Sequence, residues 1–166
     1  MKSVSRLYPL LCLVFLLVAG SAEARGPLRD VLGIVPGMTE DEAHRRLARV
    51  GATLRVDREA TEKKVGREIW VLDHPRFTYV ALTVDREKSV QYVQGYLRKD
   101  RKPLRYGDIG NLKRARQAGY YIYVWDLPAR GDRPALQVQA RGADPRVAGS
   151  YSVVSRSSRL ALAGGR

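Results

Sequence analysis

A change of hydrophobic period near Gly51 constrains the fold of this chain more than any other feature. Before it, Ala43, Leu47 and Val50 recur at the i, i+4, i+7 spacing of a helix with one buried face. Beyond it, apolar and polar residues alternate in a series of short runs, which is typical of half-buried strands. The sequence therefore predicts one clear helix followed by antiparallel strands.

The predicted helix has a recognisable start and end. Thr39 and Glu42 have the spacing of a capping box, in which the hydroxyl and the carboxylate bind free backbone N–H groups reciprocally. The acidic run 40–42 adds negative charge at the positive end of the helix dipole. Gly51 is placed to end the helix, because glycine readily takes the left-handed conformation found there. We predict a helix over residues 40–50.

Seven runs of alternating residues predict strands, four of them before the basic connector and three after it. These runs are 53–58, 67–73, 77–84, 89–98, 120–126, 135–141 and 150–156. A second helix is predicted from Asp108, as N-cap, to Gly119, with Ile109, Leu112 and an alanine on its buried side.

These elements predict an α+β fold, in which antiparallel β-meanders carry helices packed on one face. The order of helix and meander occurs twice, which suggests two pseudo-repeated units. The predicted segments are a signal peptide at 1–24, a first helix-plus-meander unit at 25–98, a basic connector at 99–105, a second helix-plus-strands unit at 106–156 and a disordered tail at 157–166.

The first 24 residues have the pattern of a cleaved signal peptide. A basic start is followed by an apolar run over residues 10–19 and by small residues at 22–24. The run is shorter than the roughly 20 residues that a membrane-spanning helix needs. Cys12 follows the bulky Leu11, which is not the pattern of a lipid-anchored protein. We expect cleavage after Ala24 and a periplasmic or secreted protein.

Charge and cysteine content limit the classes of partner and cofactor. The formal net charge is +13, and most of the basic residues are arginine. Such a charge attracts polyanions, and the arginine guanidinium suits carboxylate and phosphate groups. Because the chain beyond residue 24 has no cysteine, neither a disulfide nor a cysteine-bound metal is expected. We predict no metal and no cofactor.

The chain offers few groups for catalysis. His44 lies on the helix beside arginines and is predicted to be a solvated residue, and His74 lies in a turn before Pro75. No serine has the sequence context of a nucleophile, and no carboxylate–histidine spacing suggests zinc. We therefore predict a protein that is not an enzyme. A small hydrolase is the alternative if either histidine lies in a cleft beside a serine or a carboxylate.

Aromatic and basic residues interleave in the strands on either side of the basic connector. Aromatic and arginine side chains contribute most to protein interfaces, but aromatics that alternate on a strand can equally form the half-buried side of a sheet. The predicted contact residues are Tyr92, Tyr96, Arg98, Lys99, Arg101, Lys102, Tyr121, Tyr123 and Trp125.

The segment from Gly33 to Ala43, with Gly37-Met38-Thr39 at its centre, resembles the opening of the SmpA/OmlA family, the small lipoprotein component of the bacterial outer-membrane barrel assembly machinery. It is also similar to the opening of β-lactamase-inhibitor-like domains, which can occur as tandem helix-plus-meander units. The resemblance is specific over residues 33–51 and architectural over residues 52–156. It implies a helical layer on an antiparallel sheet, an envelope location and a non-catalytic role in protein binding.

The sequence as a whole predicts an exported, non-catalytic protein that presents aromatic and arginine side chains to an acidic protein partner, in a process such as envelope biogenesis. An anionic envelope polymer or lipid, bound through positive charge alone, is the alternative partner. The predicted export disfavours nucleic acid. No transmembrane segment is predicted in the mature chain.

Overall fold

One antiparallel sheet of eight strands dominates the computed structural model, which describes residues 26–58, 66–101 and 103–156. The strands are β1 Thr53–Arg58, β2 Gly66–Val71, β3 Phe77–Val84, β4 Val90–Leu97, β5 Arg116–Gly119, β6 Ile122–Leu127, β7 Leu136–Arg141 and β8 Ser150–Ser155. Their order across the sheet is β1-β2-β3-β4-β8-β7-β6-β5. Each half is therefore a meander of sequence neighbours, and the halves meet where β4 pairs with β8.

The predicted first helix is confirmed as α1, Glu40–Arg49. The Thr39 hydroxyl accepts a hydrogen bond from the Glu42 backbone N–H at 3.3 Å, which is the first bond of the expected cap. The Glu42 carboxylate accepts instead from the guanidinium of Arg46, at 2.7 Å. Ala43 and Leu47 are fully buried, as their spacing predicts.

The prediction of an α+β fold with helices packed on one face is wrong, because the protein is mainly β. Among the described residues, α1 is the one helix of more than a single turn. The helix predicted over 108–119 is replaced by a four-residue turn of helix, α2 (Tyr106–Ile109), a 3-10 turn (Leu112–Arg114) and strand β5. The extended backbone of Gly110, with φ −173° and ψ 163°, ends α2, and glycine is a poor helix former.

The two faces of the sheet differ in what covers them. Register partners that share one face include Trp70, Val80, Tyr151, Ala140 and Tyr123. The buried residues of α1 and α2 pack with this side, so we call it the core face. We call the opposite side the helix-free face. It carries Arg67, Ile69, Val71, Tyr79, Ala81, Thr83, Tyr92, Gln94, Tyr96, Arg116, Ile122, Val124, Asp126, Gln137, Gln139, Arg141, Ser150, Ser152 and Val154.

No helix in the described ranges could cross a membrane. The longest, α1, has ten residues, which is about half the length that the hydrocarbon core of a bilayer requires. The predicted signal peptide at 1–24, the tail at 157–166 and Lys102 lie outside the described residues.

Candidate functional site

A chain of hydrogen bonds connects the tyrosine and glutamine side chains at the centre of the helix-free face. The Tyr92 hydroxyl donates to Gln94 Oε1 at 2.7 Å, and Gln94 Nε2 donates to Ser150 Oγ at 3.1 Å across the β4–β8 pair. Burial raises the pKa of Tyr92 above its ordinary value, which favours the protonated hydroxyl that donates this bond. The polar groups of this part of the face are therefore held in fixed positions.

A shallow groove lies beside this chain of hydrogen bonds. It has a volume of about 300 Å³ and is lined by Arg67, Ala81, Thr83, Tyr92 and Gln94. Ala81 and Gln94 are buried and form its floor, whereas Arg67 is exposed at its side. The groove can therefore accept a side chain from a partner beside an exposed guanidinium group.

Two further tyrosines extend the aromatic surface along the same face. Tyr79 and Tyr96 are register partners on β3 and β4, with ring centroids 6.3 Å apart and planes at 85°. Tyr79 is 45% exposed, which is high for an aromatic side chain. This edge-to-face pair adds an accessible aromatic patch next to the groove.

The charge of the helix-free face is positive. Arg67 and Arg141 are exposed there. Of the described acidic side chains within the strands, Asp126 points to this side, and it already accepts a hydrogen bond from Gln137 at 2.8 Å and pairs with Arg156 at 3.3 Å. The face therefore offers cations and tyrosines to an incoming ligand.

The structure separates the predicted aromatic contact residues onto opposite faces. Tyr92 and Tyr96 lie together on the helix-free face, but Tyr123 and Trp125 lie on the core face. Trp125 is 2% exposed and donates from Nε1 to the Asn111 carbonyl at 2.9 Å. Tyr123 is partly buried and packs against the core, so these two residues do not share a surface with Tyr92 and Tyr96, and a contact role for them stays a prediction.

The predicted residues at the turns and the connector have local roles. Tyr121 lies in the β5–β6 turn with φ +54°, and its carbonyl accepts from the Tyr106 hydroxyl at 3.1 Å. Arg98 donates from Nε to the His74 carbonyl at 2.8 Å and pairs with Asp73, which fixes the β2–β3 turn. Lys99 and Arg101 are exposed next to it in the chain.

Tyr79, Arg67 and Arg141 belong to the helix-free face but are absent from the predicted set. The register shifts by one residue between Phe77 and Tyr79, and this bulge turns Tyr79 away from the face that buries Phe77. Simple alternation would place both on one side, so the sequence carried no signal for Tyr79. Arg67 and Arg141 alternate with buried neighbours along their strands, and this alternation could have predicted that both lie on the exposed side of the sheet.

A larger cavity of about 870 Å³ contains His74 in its wall, together with Asp30, Asp108 and Tyr151. His74 Nδ1 accepts a hydrogen bond from the Arg76 backbone N–H at 3.1 Å. The Asp30 and Asp108 carboxylates also accept from backbone N–H groups, at 2.8 and 2.9 Å. These side chains stabilise turns, and their hydrogen bonds do not form a nucleophile–base pair.

His44 is not the solvated residue that the sequence predicts. Its Nε2 lies 2.9 Å from both carboxylate oxygens of Glu68, and its ring lies 5.0 Å from that of Trp70. Glu68 is 3% exposed and accepts a hydrogen bond from Trp70 Nε1 at 2.7 Å. Burial raises the pKa of the Glu68 carboxyl group. Glu40, one helical turn before His44, completes the group and pairs with Lys88 at 2.9 Å.

Comparison of the chain with protein-family models, with curated proteins and with solved structures finds no match. The resemblance of residues 33–51 to the SmpA/OmlA and β-lactamase-inhibitor-like families therefore stays a prediction.

Proposed function

We propose that this protein binds an acidic protein partner through the helix-free face and catalyses no reaction. The observation that carries the proposal is the grouping of Tyr79, Tyr92 and Tyr96 with Arg67 and Arg141 on one face. Tyrosine and arginine are the residue types that most often dominate the binding free energy of protein interfaces.

The charge of the face supports an acidic partner. The formal net charge of the chain is +13, and Arg67 and Arg141 are exposed on the face itself. A guanidinium group can bind a carboxylate through two parallel hydrogen bonds, which gives orientation as well as attraction. An acidic side chain that enters the groove would meet Arg67 and the Tyr92 hydroxyl.

The rigidity of the face supports binding to a folded surface. Tyr92, Gln94 and Ser150 are already connected by hydrogen bonds, and Tyr79 and Tyr96 already pack against each other. Side chains that are ordered before binding lose little conformational entropy when a partner docks.

We also propose that the protein works in the periplasm or outside the cell after removal of residues 1–24, in a process such as envelope biogenesis. The support is the basic start, apolar run and small residues of that segment. Mass spectrometry of the protein from its source cells is expected to give Arg25 as the first residue. A cytosolic protein that retains residues 1–24 would contradict this part of the proposal.

The binding proposal is tested with matched double variants and an envelope extract from the source cells. Tyr96→Ala with Arg141→Gln removes one tyrosine and one arginine from the helix-free face. Tyr120→Ala with Arg45→Gln removes the same groups elsewhere, since Tyr120 is 91% exposed in the β5–β6 turn and Arg45 is exposed on α1. Proteins retained by the wild type at low and moderate salt are identified by mass spectrometry, purified and titrated by biolayer interferometry.

The expected result is an acidic protein whose affinity falls about tenfold or more with the face variant and stays nearly constant with the control variant. Equal losses from both variants, together with a steep fall in affinity as salt rises, would instead indicate an anionic polymer or lipid held by net charge. Retention of no protein at either salt concentration would overturn the proposal.

A further inference from the structure

We propose that Glu40, His44 and Glu68 form a binding site for one divalent transition-metal ion, and that this site binds zinc more tightly than manganese or magnesium. One ligand atom from each of the three side chains lies within 4.8 Å of the other two. Glu40 and His44 lie one turn apart on α1, and Glu68 comes from β2, so two different elements build the site.

The distances suit a metal ion with nitrogen and oxygen ligands. In a tetrahedral zinc site, bonds of about 2.1 Å place the ligand atoms about 3.4 Å apart. His44 Nε2 and the Glu68 oxygens are already 2.9 Å apart, so a small outward shift would admit an ion between them. The Glu40 carboxylate is on the first turn of α1, where a small change of rotamer can bring one of its oxygens within bonding distance of an ion held by His44 and Glu68.

The surroundings of Glu68 resemble those of a metal ligand more than those of a surface ion pair. Glu68 is buried, and the Trp70 indole N–H donates to Oε2 at 2.7 Å, which fixes the orientation of the carboxylate. Such an outer hydrogen bond to a ligating carboxylate is a regular feature of metal sites. His44 and Glu40 are only partly buried, so an ion can reach the site from solvent.

The kind of ligand predicts which ions bind. One imidazole and two carboxylates suit zinc, cobalt and manganese, whereas magnesium and calcium prefer oxygen ligands alone. By the usual order of affinities for divalent ions, zinc should bind more tightly than manganese. Three protein ligands leave at least one coordination position for water or another ligand.

The test is isothermal titration of untagged protein with zinc, manganese and magnesium chlorides, because a polyhistidine tag would itself bind zinc. We expect one zinc ion per chain, weaker binding of manganese and no binding of magnesium. The melting temperature is expected to rise by about 5 °C or more when the zinc concentration is about a hundred times the dissociation constant. Cobalt is expected to give a visible absorption band and to change the fluorescence of Trp70, whose ring contacts His44.

Variants of the two histidines distinguish the site from adventitious binding. His44→Ala is expected to lower zinc affinity at least tenfold, whereas His74→Ala is the matched control and leaves it unchanged. Circular dichroism checks that both variants are folded. No zinc binding at millimolar concentration, or binding that survives His44→Ala, would overturn the proposal, as would magnesium binding as tight as zinc.

Lys88→Met provides a second test that does not alter a ligand. The Lys88 ammonium pairs with Glu40 Oε2 and is largely exposed, so its removal should leave the fold intact. Because the ammonium competes with the metal for Glu40, we expect zinc affinity to increase several-fold. An unchanged or weaker affinity would show that Glu40 is only an ion-pair partner and would contradict the site.

Discussion

Gly95 lies in the middle of β4 on the core face, directly beneath the Phe77 ring. A methyl group at this position would overlap Phe77 and lie 3.0 Å from Val31 Cγ1. At Gly107, on α2, no described atom outside its chain neighbours and its own helix lies within 4 Å of the position of an added methyl group. The same change to alanine can therefore be made at both glycines, and the two sites differ in the space around the added methyl group.

Gly95→Ala is expected to lower the free energy of unfolding by about 1–3 kcal/mol, because the core cannot accept another methyl group there. Gly107→Ala is the control and is expected to be neutral or slightly stabilising, since alanine is a better helix former. Urea unfolding followed by circular dichroism measures both values. If the two variants have the same midpoint, Gly95 is not tightly packed.

His74 gives the protein a dependence of stability on pH. Burial, and then the charges of Arg76 and Arg98, lower the pKa of His74 in the folded state. As the solution becomes acidic, the histidine of the unfolded chain therefore binds a proton before the histidine of the folded protein does. The contribution of His74 to stability is lost as the pH falls below the ordinary pKa of histidine, about 6.5.

His74→Gln is expected to flatten the decrease of the melting temperature between about pH 7.5 and about pH 5. The difference between the wild-type and variant curves isolates this group from the other titrating side chains. Parallel curves over the whole range would show that His74 has the same pKa in the folded and unfolded states. Compared with the difference between the two proteins at neutral pH, the variant is expected to gain stability over the wild type in acid.

The elements of the fold follow the local sequence where their stabilising contacts are local. Thr39 begins α1 through a hydrogen bond to the Glu42 N–H, and the residues that alternate over 53–58 and 77–84 form β1 and β3 with the predicted bounds. Side-chain spacing and capping residues are sufficient information for such elements. They do not determine how one element docks on another.

Thr39→Ala is expected to destabilise the protein by about 1 kcal/mol, since the first turn of α1 loses its side-chain cap. Thr39→Ser retains the oxygen and is expected to stay close to the wild type. Chemical denaturation gives the values, and amide exchange over residues 40–43 locates the effect. A loss with serine as large as that with alanine would assign the cost to the methyl group and its packing.

The remaining errors of prediction came from contacts between distant elements. β5 pairs with β6, which gives residues 116–119 a strand conformation that their exposed, polar sequence does not indicate. The bulge beside Phe77 depends on the pairing of β3 with β4, and it decides that Tyr79 reaches the helix-free face. The partial burial of His44 likewise depends on β2, which brings Glu68 and Trp70 beneath α1.

The whole molecule depends on the junction of its two meanders. Val93 on β4 and Val153 on β8 are register partners at this junction, and both are fully buried. The rings of Phe77 and Tyr151 add a contact between the halves, with centroids 6.1 Å apart. Because these contacts belong to one hydrophobic core, the halves should unfold together.

Trp70 on β2 and Trp125 on β6 place one fluorescent reporter in each meander. In the single-tryptophan variants Trp125→Phe and Trp70→Phe, the fluorescence transition is expected to coincide with loss of circular dichroism in the same protein. When Val153→Ala is added to either variant, the free energy of unfolding is expected to fall by about 1–3 kcal/mol, whether it is measured by fluorescence or by circular dichroism. A reporter whose transition separates from the loss of secondary structure would show that one meander unfolds by itself.

Among the described strands, β1 and β5 are the two ends of the sheet, and each of them pairs with a single neighbouring strand. An extended segment from another molecule could add to either end and continue the sheet. Arg55 and Arg116 are exposed on these strands, and their like charges would repel a second copy that approaches. Concentrated salt weakens this repulsion, so the purified protein should become less soluble as ionic strength rises.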